Sequence, residues 1–325
     1  MMGMCNTDLI EKKPHTSYIL TKYPRISSSF ASDYSAMWLT PVHFFSHGST
    51  MMLGEESESA DYWKQCGDEA LAHGIKGVII MGAHWGCSGN NRLEVAMNPR
   101  PTKSPVAYVH PSKYLDYGLV PDLDSGRKCI NLLSAEGFDV HANENLEWIH
   151  DTYLILIRMF PDRCPPTTII STNMQYDPHF HMRAGTALRP LREQNYLIIG
   201  TGGAVHNLYR NVWGPMLRYS DNFSQETPPE KWALDFRQAV EDALTNNSGP
   251  ALRRAMTRLM KHPHFRDAHA TDDHYMPAVF VAGAAGSEAD LGTTGRLMAE
   301  TWELTNMCNS QFTIGEWPQA SRTPA

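Results

Sequence analysis

Cysteine pairs, long apolar runs and an excess of positive charge are all missing from this 325-residue chain. Its six cysteines are scattered with no C-x-x-C pair, which disfavours a structural zinc site and a small disulfide scaffold and makes a reducing compartment the default. The longest apolar stretch, around Gly77 to Ala83, is too short to span a bilayer, and the first residues lack the apolar h-region of a signal peptide. The expected location is the cytoplasm. Lys and Arg number 28 against 35 Asp and Glu, for a net charge of -7, so neither nucleic acid nor an anionic membrane is an expected partner. Zincin H-E-x-x-H, the G-x-S-x-G elbow, the P-loop and a strand-linked G-x-G-x-x-G are also absent, which removes support for protease, α/β-hydrolase, nucleotide-hydrolase and dinucleotide-binding readings.

What is present is an ordinary globular composition, with 42% hydrophobic residues, and a repeating pattern of apolar run, turn and helical stretch. The β-type runs are PVHFFSHGS (41–49), KGVIIMGAHWG (76–86), TTIISTNMQ (167–175) and NYLIIGTGGAVHN (195–207). Segments with helical spacing lie between them, and Gly74 and Gly137 suit helix C-termini. The alternation predicts an α/β protein with a central, largely parallel or mixed sheet flanked by helices in a single domain. Residues 1–38 read as an N-terminal extension, 39–290 as the catalytic domain, and 291–325 as a C-terminal helix or tail packed on it. Residues 230–259 predict one or two amphipathic helices, and 278–285 a late strand or the start of a buried helix.

The chain carries 15 histidines, and their placement says more than their number. Three of the four β-runs end at or near one: His47 in SHGST, His84 in GAHWG and His206 in AVHNL. Ligands of open α/β sheets bind beyond the carboxyl ends of the strands, so these three can converge in one crevice. A fourth group, KHPHFRDAHATDDHYMP, places Asp272 and Asp273 beside His274 and looks like a loop that delivers ligands or acid/base groups. His150 with Asp151, and His179 with His181, are further candidates. A lone histidine at a strand end is ordinarily a hydrogen-bonded structural residue, and it is the three together that call for a function. His15, His73, His110, His141 and His262 read as surface or packing residues, and His43 as core.

Six segments in order resemble the LigB-type (class III) extradiol ring-cleaving dioxygenases, in the branch that contains DOPA 4,5-dioxygenase. They are SHGST (46–50), MGAHW (81–85), WIHDTY (148–153), DPHFHMRAG (177–185), LIIGTGGAVHNL (197–208), and PHFRDAHATDDHYMP through FVAGAAG (263–286). The resemblance implies His47, His84 and His274 as metal ligands, with Asp273 or Asp151 as carboxylate alternatives to His274. It implies His206 as acid/base, with a possible ligand role, and His150 as a second catalytic group in the pocket. His181, Thr50, Trp85 and Tyr275 are the implied substrate-binding residues. Thr50 stands where the family usually has Pro, and Ile149, His150 and Asp151 where it has Asp-His-Gly; these departures bear on substrate specificity and leave the histidines in place.

The implied chemistry is cleavage of a catechol next to its diol by O2 at a non-haem Fe(II) centre, giving a muconic-semialdehyde-type product. Zn(II) is the alternative occupant of the site as purified. The implied partners are the catechol and O2, and the implied assembly a monomer or homodimer. Two other functions fit a histidine site on this scaffold: a zinc-dependent hydrolase and a non-catalytic metal-binding protein. Arg183, Arg210 and Arg266 are candidate partners for a carboxylated catechol.

Overall fold

A computed structural model describes residues 39–317. The extension expected over 1–38, with Cys5 and His15, lies outside the described residues. Eight strands form one mixed sheet: β1 (Val42–Ser46), β2 (Gly77–Cys87), β3 (Arg92–Ala96), β4 (Asp139–Asn143), β5 (Thr167–Asn173), β6 (Tyr196–Gly202), β7 (Gly295–Glu303) and β8 (Met307–Ile314). Their order is β4-β3-β5-β2-β6-β1-β8-β7. The inner four, β5-β2-β6-β1, are parallel, whereas β8 runs antiparallel to β1 and β3 antiparallel to β5. The helices are α1 (Glu58–Ala72), α2 (Leu123–Ala135), α3 (His150–Met159), α4 (Pro178–Leu188), α5 (Pro190–Glu193), α6 (Gly214–Tyr219), α7 (Lys231–Thr245), α8 (Gly249–Leu259), α9 (Phe265–Ala268) and α10 (Met276–Ala285).

The four expected β-runs became the four inner strands because strands covered on both faces need apolar side chains at nearly every position. Alternate residues divide the core. Val42, Phe44, Ile79, Met81 and Ile198 pack on one side with residues of α4, α7, α8 and α10; Phe45, Val78, Ile80, Leu197 and Ile199 pack on the other with α1 and α3. Every residue of α10 is buried, so 278–285 is a helix without a polar face, not a strand.

The expectation of a C-terminal helix or tail over 291–325 is corrected. Within the described residues this segment forms the β7–β8 hairpin, and β8 pairs directly with β1, Val42 opposite Ile314. Polar side chains disguise β8 as non-strand, yet it is buried throughout. Gln311 accepts from the Trp63 indole and donates to the Ser46 carbonyl, so its burial leaves no stranded polar group. The five cysteines of the described residues are all buried and unpaired. No helix among these residues is long and apolar enough to cross a membrane.

Candidate metal centre

β1, β6 and β2 are neighbours and parallel, so their carboxyl ends open on one side of the sheet. His47 follows β1 by one residue. His84 lies within β2, not past its end: the strand continues to Cys87 after a register shift between Met81 and Gly86. That irregularity takes the His84 N–H out of the ladder, and it donates to Asp151 Oδ2 at 2.8 Å. His206 sits four residues beyond β6, its N–H bonded to the Ala268 carbonyl at 2.9 Å.

His274 arrives from the far side of the sequence, on the turn that opens into α10. Its carbonyl accepts from Gly203 N–H at 3.0 Å. A Cβ at Gly202 would collide with that carbonyl. Gly202 therefore serves the approach of the His274 backbone, and Gly200 that of the Pro277 carbonyl.

The ring centroids of His47, His84 and His274 are 4.8 to 5.3 Å apart, and one ligand nitrogen from each lies within 4.8 Å of the others. His206 stacks on His274 at 3.8 Å, and His150, the first residue of α3, stands 4.5 Å from His84.

The Nδ1 atoms of all three candidate ligands face a partner. The Thr201 hydroxyl gives its single proton to the Asp151 carbonyl at 2.5 Å, so its oxygen can only accept from His47 Nδ1–H, 3.3 Å away. Asp273 Oδ1 lies 3.2 Å from His274 Nδ1, and Asp151 Oδ2 lies 3.5 Å from His84 Nδ1. Held in this tautomer, His47 and His274 keep Nε2 free, as metal-binding histidines do when their other nitrogen is fixed by an outer partner. Among the described residues, His47 Nε2, His274 Nε2, His206 Nδ1 and Asp151 Oδ1 are buried with no hydrogen-bond partner. Orphaned imidazole nitrogens beside an unneutralised buried carboxylate are what a divalent cation satisfies, so the donor set fits a metal.

Burial, reinforced by the neighbouring imidazoles, pushes His47 and His206 well below the ordinary histidine value. His84 is brought down to about 4 by burial against the opposing pull of Asp151, and His150 is lowered by burial too. The neutral imidazole favoured in each case is the form that coordinates metal.

The structure corrects two expected substrate contacts. His181 is fully buried, with Nε2 accepting from Asn173 N–H at 3.0 Å and Nδ1 2.7 Å from the Asp177 carbonyl; both nitrogens are occupied in joining α4 to β5. Tyr275 is buried against Phe265 and His269, with its hydroxyl donating to the Met256 carbonyl. Trp85 is half-buried and packs against the α1–α3 side of the core, and the Thr50 hydroxyl donates to the Ala107 carbonyl.

Arg183 donates to the Glu136 carbonyl and covers the Phe138 ring; Arg210 pairs with Asp267, and Arg266 with Asp272. Each cation is already engaged. His43 bonds Thr313 within the core, His73 stacks on Trp317, and His141 pairs with Asp139 at the surface. Thr201 was not among the expected site residues. Asp151 and Asp273 were, as alternative ligands, and each stands beside the Nδ1 of a candidate ligand histidine.

The model for the catalytic LigB subunit of aromatic ring-opening dioxygenases matches residues 41–310. The chain is 28% identical to 4,5-DOPA dioxygenase extradiol of Beta vulgaris over 259 residues, 76% of this chain and 88% of the relative. It is 24% identical to the Escherichia coli K12 protein of the same name, over 75% of this chain and 84% of that one. A crystal structure of Escherichia coli K12 protein JW3007 shares the fold, with a TM-score of 0.66 at 21% identity, covering 85% of this chain and 99% of the other. A sheet that gathers histidines at the ends of β1, β2 and β6, together with a family match spanning that whole sheet except its last strand residues, makes this chain a member of the LigB family, in the branch resembling the DOPA dioxygenases.

Proposed function

We propose that the protein is an extradiol ring-cleaving dioxygenase that binds Fe(II) through His47, His84 and His274 and inserts O2 into a catechol beside its diol. The observation that carries this reading is the convergence of three histidines, one nitrogen of each within 4.8 Å of the others, with Nδ1 of each facing an outer partner and Nε2 of His47 and His274 buried and unpartnered. Bound Fe(II) supplies the place where catecholate and dioxygen meet and exchange electrons, with a muconic-semialdehyde-type product. The relatives named for 4,5-DOPA support a catecholic substrate.

His206 takes the proton of a catechol hydroxyl. Its Nδ1 is buried without a protein partner, and stacking on His274 holds the ring beside the ligand set. His150 closes the opposite side, near both His47 and His84, where it contacts the diol or the ring carbons next to it. Thr50 and Trp85 complete the proposed substrate contacts. The catalytic domain of this reading runs from residue 39 and takes in the β7–β8 hairpin.

The test is anaerobic reconstitution with Fe(II), followed by a catechol and then oxygen. Oxygen uptake with a yellow product supports the proposal. Turnover with Zn(II) and no oxygen consumption would instead establish a hydrolase, and stoichiometric metal with no turnover over a broad catechol panel a binding protein.

A further inference from the structure

Asp151 is 1% exposed, and no Lys or Arg among the described residues pairs with it. A buried carboxylate in that state is costly unless a charge nearby compensates it. Its contacts run to two of the three proposed ligands. Oδ2 accepts the His84 N–H at 2.8 Å and lies 3.5 Å from His84 Nδ1. The Asp151 carbonyl accepts from Thr201, which orients His47 from the other side. The carboxylate occupies space that only a glycine on β2 leaves free, since a Cβ at Gly82 would collide with Oδ2. Oδ1 is left buried and without a partner.

We infer that Asp151 is a positioning residue for the metal, an uncoordinated carboxylate that aligns His84 and supplies the negative charge balancing the cation, and that Gly82 exists to admit it. The inference rests on the proposed ligand set. Asp151 and Gly82 then act as one unit: displacing the carboxylate is equivalent to neutralising it, and an added side chain at position 82 matters only while the carboxylate is there.

The test is the affinity of the whole protein for Zn(II) alone, measured by competition with a chromophoric chelator, with the melting temperature of the metal-free protein recorded alongside. Parent protein that binds no Zn(II) would remove the ligand set itself, an outcome separate from the fate of Asp151. Given parent binding, Asp151→Asn weakens Zn(II) affinity about 10- to 100-fold while metal-free melting stays near the parent value. Gly82→Ala weakens it comparably in the parent background and has no further effect when added to Asp151→Gly. Parent-level affinity in Asp151→Asn overturns the inference. So do independent, additive losses from the two positions. Should Asp151→Asn not fold, Gly82→Ala decides alone, parent-level affinity there being the contrary result.

Discussion

The His206 and His274 rings lie face to face, 9° from parallel with centroids 3.8 Å apart, yet only His274 belongs to the group of three whose nitrogens can share one ion. On the proposed reading, the stack sets a metal ligand beside the group that takes the proton. Replacing His206 with Gln should lower oxygen uptake per bound iron by about 10²- to 10⁴-fold, the usual worth of a positioned acid/base, with metal content unchanged. Metal analysis beside oxygen-electrode rates checks this; loss of iron with per-iron activity intact would make His206 a ligand.

Thr201 gives a second handle on the ligand set. Thr201→Val removes the acceptor for His47 Nδ1–H and the donor to the Asp151 carbonyl together. Metal affinity should fall about tenfold or more. Thr201→Ser keeps the hydroxyl and should stay near the parent in the same chelator titration.

Glu303 is fully buried and receives hydrogen bonds from the Ser49 N–H and hydroxyl, Asn222 and Asn309, with burial raising its carboxyl above the ordinary glutamate value. Glu303→Ala leaves those donors facing one another across a void. The expected cost is about 3 kcal/mol or more, from stranded buried donors, read as a lower urea midpoint with unchanged slope.

Acid should act through Asp290. Burial alone would raise this carboxyl, but Arg189, Ser287 and Arg192 overcome it and bring it down to about 2. A carboxylate lowered on folding stabilises the native state above its ordinary value of 3.8, and that contribution is lost as pH falls toward 2. Asp290→Asn leaves Arg192 buried without its counter-charge and should cost about 3 kcal/mol at neutral pH. The variant should also lose part of the acid sensitivity between pH 4 and 2, roughly the window set by that shift, in melting curves taken across it.

The inner sheet was legible in the sequence because parallel strands buried on both faces read as unbroken apolar runs, and His47 and His206 follow two of their ends; His84 lies within β2, and His274 on a loop that only its dense run of histidines marks. The outer strands were not. β3 and β4 mix charge into RLEVA and DVHAN, and β8 buries Gln311 and Thr313, whose partners are remote in sequence. His181 and Tyr275 were placed in the pocket because their neighbours in sequence match site motifs; the hydrogen bonds that bury them are invisible from spacing. The change at Ile149 to Asp151 reads as a matter of substrate specificity, and spacing does not show that Asp151 lies against the N–H and Nδ1 of His84. Only the fold brings Gly82 against a carboxylate so far along the chain.

β1, which leads into His47, has β6 on one side and β8 on the other, so its second neighbour is the strand furthest along the chain among the described residues. During synthesis the strand that leads into His47 must wait for residues 307–314 before its second edge is covered. Such long-range pairing is slow and leaves an adhesive edge exposed in the interim. Chains cut before Met307 would carry all the proposed iron ligands yet lack the strand that pairs with β1, leaving that edge open to other chains.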